Sequence, residues 1–362
     1  MNIWSWILEF QQRARAEGDV ERAALLDDFQ SALETKDTDP DRTLSLLEQS
    51  RAKAKVLDEP KWVLFFDHWI LQTQLFFRRD YRNLLDHAVK ASMEACKSIH
   101  RDLPQRVCIH EDLIHAYVGI DPVGYADRIA KALDFMKGEA DPQAECQHCI
   151  LGCRASFESE MGRFDASREI GEEKLRKALD EGSDHHSANA YSHLADLAVK
   201  RQDWEAALEL AKQMESRAQR SDRDAVQSQA LVYQALALRK LGREKEALVR
   251  YGRAVARIKR LAIPSNEIYA TIALFYESAG DDAKALRFRE KQFKVHGNRG
   301  RLLHDFRNLK ERCRLLARLG RLQDSDVAEA RTAAAKLRNA EKYLAELDEA
   351  LANPNPQAQG RA

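Results

Sequence analysis

Residues 189–214 read NAYSHLADLAVKRQDWEAALELAKQM. Tyr191, Leu194 and Ala195 fall on one face at helical spacing. Gln202-Asp203-Trp204 interrupts that pattern, and Ala207, Leu208 and Ala211 resume it. The segment therefore reads as two amphipathic helices joined by a tight turn. The interruption recurs along the chain. Gly162, Gln202, Gly242, Gly280 and Gly320 are separated by 40, 40, 38 and 40 residues. Each is followed five residues later by a small residue, namely Ser167, Ala207, Ala247, Ala285 or Ser325.

This spacing has a physical cause. The turn residue closes the first helix of a pair, where glycine adopts positive φ at little cost. The small residue lies one turn into the second helix, where two backbones come too close for a long side chain. One pair cannot bury its own apolar face, and stacked pairs share a continuous core. A period of about 40 residues built from antiparallel helix pairs predicts an all-α fold, an α-solenoid winding into a superhelix.

The residues around the turns resemble the tetratricopeptide repeat (TPR). Residues 189–214 are the best copy. The next show Leu231, Ala235, Leu238, Gly242, Ala247, Tyr251 and Ala254, and then Tyr269, Ile272, Ala273, Tyr276, Gly280-Asp281 and Ala285. Gln234 and Arg154 stand where the pattern prefers leucine, Ser167 and Ser325 replace alanine, and the copy after Gly320 is the least regular.

The phase extends toward the N-terminus. Arg79-Asp80-Tyr81 with Leu84 forms another turn, and a divergent repeat is expected to turn near Asp121-Pro122, with Ala126 as its small residue. Gly18-Asp19 with Ala23 is also turn-like. Asp39 and Pro40 suit the cap and first turn of one additional helix. The expected organisation is a hairpin plus one helix over 1–58, seven TPR-like helix pairs over 59–351, and a disordered tail over 352–362.

Composition agrees with a helical-repeat protein: 362 residues, 44% hydrophobic and 32% charged, with 15 glycines and 8 prolines. No segment approaches the roughly 18 apolar residues of a membrane span. The apolar opening over 1–10 lacks a basic start and a cleavage pattern, so it does not read as a signal peptide. Trp4, Ile7, Leu8 and Phe10 are expected on the inner face of the first helix. A cytoplasmic location follows as the expectation, with six reduced cysteines.

Cys146, Cys149 and Cys153 share one helix face at i, i+3, i+7 spacing. A metal there would need a ligand from another helix. On sequence alone these cysteines are assigned to packing, with no metal and no cofactor. His110-Glu111 and His115 depart by one residue from the i, i+4 histidine spacing of zinc proteases. Asp184-His185-His186 lacks accompanying acidic motifs, and Ser183 or Asp184 suits a helix cap. No phosphate loop or nucleophile elbow is present, so the chain is expected not to be an enzyme.

The 58 basic and 58 acidic residues balance, but residues 243–321 hold 20 Lys and Arg against 9 Asp and Glu. The TPR resemblance implies that the first helix of each pair lines a concave groove. Repeat phase then places Asn189, His193 and Lys200, next Gln229, Tyr233, Arg239 and Lys240, and finally Arg307, Lys310, Arg314 and Arg318 in that groove. The implied function is a scaffold or adaptor for protein–protein interaction, binding an acidic peptide or protein segment. Phe65, Phe66, Trp69, Ile70, Phe76 and Phe77 are expected mostly as core under the early helices, with an apolar docking surface as the alternative.

Two other functions stay open. Three N-terminal helices followed by seven repeats are similar in layout to the Rap-type signalling regulators, which implies N-terminal helices contacting a target and a peptide in the groove shifting them. An RNA-binding solenoid would use the basic half, but no periodic base-reading code argues for nucleic acid.

Overall fold

The computed structural model describes residues 3–36, 38–139, 146–261, 264–297 and 299–354. The tail expected to be disordered lies almost wholly outside these residues. Among the described residues there are eighteen α-helices and no strand. The chain forms two compact units, residues 1–119 with 125–153, and residues 120–124 with 154–362.

The first unit contains α1 (Ile3–Ala16), α2 (Val20–Thr35), α3 (Pro40–Val56), α4 (Pro60–Gln72), α5 (Leu84–Ala95), α6 (Gln105–Ile120), α7 (Ala126–Glu139) and the first half of α8 (Cys146–Glu160). Asp39 caps α3 by accepting the Arg42 N–H at 3.0 Å, and Pro40 occupies its first turn. Beyond α4 the helix widens to a π-turn over Thr73–Arg78 and stops at Arg79, whose φ is 53°.

Aromatic packing dominates this unit. Trp62, Phe65 and Phe66 of α4 are buried beneath Trp6 and Phe10 of α1 and Phe29 of α2. Ring centroids lie 4.4 Å apart for Phe10–Trp62 and 4.8 Å apart for Trp6–Trp62 and Phe29–Phe65. The aromatic stripe is thus core, as its density in one helix implied, and Phe76 is its exposed member. One expectation for α1 fails: Leu8 is exposed, and the buried stripe runs through Ile7, Phe10 and Ala14. The side chain of Trp4 lies outside the described residues.

The second unit contains the rest of α8, then α9 (Phe164–Asp180), α10 (Asp184–Lys200), α11 (Trp204–Arg220), α12 (Asp224–Lys240), α13 (Glu244–Ile258), α14 (Asn266–Glu277), α15 (Asp282–His296), α16 (Leu302–Arg318), α17 (Asp324–Ala335) and α18 (Ala340–Ala352). Each of the five recurring turns has the left-handed backbone expected of it. The φ values are 76° at Gly162, 59° at Gln202, 77° at Gly242, 74° at Gly280 and 64° at Gly320. At Gly242 the Arg243 N–H bonds the Leu238 carbonyl at 2.9 Å and the Gly242 N–H bonds Arg239 at 3.0 Å, which satisfies carbonyls at the helix end.

Ser167, Ala207, Ala247 and Ala285 are completely buried, as close helix packing requires. Ser325 is exposed instead, and Ala330 and Ala334 take the buried role in α17. The helix expected after Gly320 is also broken in two. At the break the Arg338 N–H reaches Asp121 Oδ2 at 2.7 Å, and the Tyr343 hydroxyl of α18 donates to Asp121 Oδ1 at 3.2 Å. Asp121, read from sequence only as a turn residue, is a buried anchor for the last two helices.

Candidate functional site

Three first helices of the second unit's pairs, α8, α10 and α16, meet through charged side chains. Glu160 closes α8, Lys200 closes α10, and Arg307 lies one turn into α16. The Arg307 guanidinium donates to Glu160 at 2.6 Å, and the Lys200 ammonium lies 3.6 Å from the same carboxylate. Helices four pairs apart along the chain thus meet at this junction.

A polar network extends from that junction. Lys200 also pairs with Asp196 at 3.0 Å and donates to the Ser159 hydroxyl at 3.0 Å. Tyr233 of α12 donates to Asp196 at 3.0 Å and accepts from the Gln229 amide at 2.9 Å. Lys310 pairs with Glu346 of α18 at 3.0 Å. Burial pushes the Glu160 carboxyl up, but Arg307 and Lys200 outweigh it and hold it below the usual carboxylate range. Burial likewise lowers Lys200, but Asp196 and Glu160 outweigh it and keep its affinity for the proton above normal.

His193 is held differently. The Ser167 hydroxyl donates to the Ala155 carbonyl at 2.8 Å and lies 2.9 Å from His193 Nε2. With the hydroxyl proton committed, the imidazole must donate from Nε2. Burial drops the His193 pKa to about 4. His193 is therefore a neutral donor, not a groove cation.

Several of the cations that repeat phase assigns to the groove are structural. Arg314 is only 5% exposed, ion-paired with Glu277 and bonded to Glu311 at 2.8 Å. Arg318 shares Glu277 at 3.6 Å and pairs with Asp282 at 2.6 Å. Arg239 stacks 3.5 Å above the Phe275 ring and donates to the Phe275 carbonyl at 2.9 Å. Lys240 lies 5.5 Å from the Trp204 ring centroid, and burial lowers its pKa. Tyr233 is buried, and Asn189 accepts from Arg223. Repeat phase assigned Arg239 and Arg314 to the groove, but both side chains are buried and act as joints between adjacent pairs. The Arg307 and Lys200 side chains are partly open, 40% and 36% exposed.

The sequence reading missed the carboxylates. Glu160, Asp196, Glu277 and Glu346 pair with the groove cations Arg307, Lys200, Arg314 and Lys310. A sequence signal existed for one of them: Asp196 precedes Lys200 by four residues on a helix, a spacing that brings opposite charges together.

No family model matches the chain, and no curated protein matches it by sequence. Among solved structures, the apo form of the quorum sensor NprR from B. thuringiensis superposes with a TM-score of 0.55 at 17% identity, covering 90% of this chain and 91% of that one. A circular tandem repeat protein aligns over 98% of this chain at 12% identity, but its TM-score is 0.25. The likeness to NprR shows a helical-repeat fold. No helix among the described residues is long and apolar enough to cross a membrane.

Proposed function

We propose that this chain is a non-catalytic interaction protein that holds an acidic peptide or protein segment in the concave face of its second unit. The observation that carries this reading is the Arg307–Glu160–Lys200 junction. Two partly open cations share one internal carboxylate on the inner face. An incoming carboxylate can replace Glu160 as their partner, and arginine receives it through two parallel hydrogen bonds. The internal pairing lets the unliganded groove fold without bare like charges and makes recognition an exchange. A cytoplasmic setting suits the free cysteines.

A second reading is favoured by the likeness to the NprR quorum sensor over nine-tenths of both chains. In it the bound segment is a signalling peptide, and its arrival changes what the chain contacts elsewhere.

Selection of a displayed peptide library on the full chain tests the first reading. Acidic sequences should be enriched, and their binding should weaken as salt rises, because exposed charges are screened over about 10 Å at 0.1 M. Titration of a selected peptide should show at least tenfold weaker binding to Arg307→Glu. Arg253→Glu, on the exposed side of α13, should bind as the parent does. Enrichment of neutral sequences, or equal losses in both variants, would remove the junction from the account. A selected peptide that also alters capture of a second protein would favour the signalling reading.

A further inference from the structure

The cysteine stripe of α8 faces a second stripe of the same spacing. Cys108, Glu111 and His115 of α6 stand at i, i+3, i+7, as do Cys146, Cys149 and Cys153 of α8. Each residue of the first set lies 38 positions before its counterpart, which is one repeat. The sets meet in register. Cys153 Sγ is 3.5 Å from His115 Nε2, and the Cys149 thiol hydrogen-bonds Glu111. Within α6, Glu111 Oε1 is 3.5 Å from the same Nε2.

One ring nitrogen thus faces two neighbours that both carry lone pairs. If Nε2 is protonated, its single N–H serves one of them well. If it is not, its lone pair points toward the Glu111 carboxylate. A cation at the centre would satisfy all three atoms. The spacing suits one: about 2.3 Å for zinc–sulfur and about 2.0–2.1 Å for zinc–nitrogen place S and N about 3.6 Å apart across a tetrahedral angle. The ligand atoms of Glu111, His115 and Cys153 all lie within 4.8 Å of one another.

We propose that the α6–α8 interface is a site for a divalent transition metal of the zinc class, held by Glu111, His115 and Cys153. Thiolate and imidazole together select zinc over magnesium or calcium, which prefer oxygen. Cys153 is buried, while the His115 and Glu111 side chains are 25% and 12% exposed and leave a path from solvent. Phe76 sets its ring edge-on to His115 at 5.0 Å and helps fix the imidazole. The ligands that the cysteine stripe lacked in the sequence come from the preceding repeat. Joining two first helices by metal would fix their relative rotation, a structural role with no reaction implied.

The test uses the full chain, purified with reductant and stripped by chelator, with Co²⁺ as the probe. We expect one cobalt per chain, a thiolate-to-cobalt absorption band of tetrahedral intensity, and displacement by one equivalent of Zn²⁺. Cys153→Ser and His115→Gln should each weaken cobalt binding at least tenfold. Cys313→Ser, in the second unit, should bind as the parent does. A folded parent with no thiolate band, or a Cys153→Ser variant with parental affinity, would overturn the proposal. If the variants do not fold, alkylation of the parent decides: Zn²⁺ should slow modification of Cys153 at least tenfold and leave exposed Cys96 unchanged. Equal rates with and without Zn²⁺ would overturn it.

Discussion

Arg307 and Glu160 are 147 residues apart in sequence and 2.6 Å apart in space. Their ion pair joins α16 to α8 across the inner face of the second unit. Their side chains are 40% and 16% exposed, so the pair is neither a solvated surface contact nor a dry one. Arg307→Glu should therefore lower stability by roughly 1–3 kcal/mol, the range for a hydrogen bond to a charged group with its partner left behind. The reversed pair Arg307→Glu with Glu160→Arg should recover part of that loss, because opposite charges again face each other. Denaturant titration of both single variants and the double variant measures the coupling. Additive losses would show that the two residues do not support each other.

The Arg314–Glu277 pair should behave differently. The Arg314 and Glu277 side chains are 7% and 6% exposed, and Arg318 leans on the same carboxylate. Arg314→Met removes one partner and leaves a buried charge poorly compensated, at a cost of about 3–5 kcal/mol. Glu277→Leu alone strands two arginines and should be at least as damaging. Thermal melts of the folded fraction test this, and a loss below that of Arg307→Glu would contradict the assignment of Arg314 as a joint.

Close packing gives a third outcome. Ala207 and Ala247 have no exposed surface. Ala207→Leu and Ala247→Leu add volume where two helices touch and should cost roughly 1–3 kcal/mol each. Glu205→Gln, on the exposed face of α11, should change little.

What the sequence made legible and what it hid follow from the range of each interaction. The turns at Gly162, Gln202, Gly242, Gly280 and Gly320 are local: a single left-handed residue and a small residue five positions on carry the whole signal. Helical phase assigned residues to the expected groove. Which cations were already paired did not follow, because Glu160 meets Arg307, and Glu277 meets Arg314, only once the stack has formed. Asp121 was hidden for the same reason, since its partners Arg338 and Tyr343 lie more than two hundred residues on. The matched stripes of α6 and α8 were readable in principle. Their identical spacing, one repeat apart, stands in the sequence, but the residue types differ and so do not announce a repeat.

The turns also allow a paired test of backbone strain. Gly242 and Gln202 occupy equivalent positions with φ of 77° and 59°. A residue with a Cβ pays roughly 1 kcal/mol there relative to glycine. Gly242→Ala should destabilise by about that amount, although nothing lies within 4 Å of the added Cβ. Gln202→Gly should be neutral or stabilising despite the greater freedom glycine gives the unfolded chain. Opposite signs in chemical denaturation are the expected result. A destabilising Gln202→Gly would mean that the Gln202 side chain supplies more than its backbone strain removes.

The last prediction concerns pH. His193 has its pKa lowered to about 4 by burial, while the unfolded chain titrates near the ordinary histidine value of about 6.5. Between these values the unfolded state binds more protons than the folded one, so stability rises with pH across that window. The contribution is complete above about pH 6.5 and is lost as the pH falls toward about 4, at most about 3 kcal/mol in total. Acidification also affects carboxylates, but Asp184, held at about 2 by Arg220 and Arg217, loses its pairing only below that window. His193→Gln retains an N–H donor for Ser167 and removes the titration. Its stability should fall less steeply than the parent's between about pH 6.5 and about pH 4. Denaturation midpoints across that range supply the comparison, and the imidazole proton resonance of His193 supplies the pKa directly. A resonance titrating near 6.5, with parallel stability profiles for parent and variant, would show that the imidazole is solvated and that its bond to Ser167 does not persist in solution.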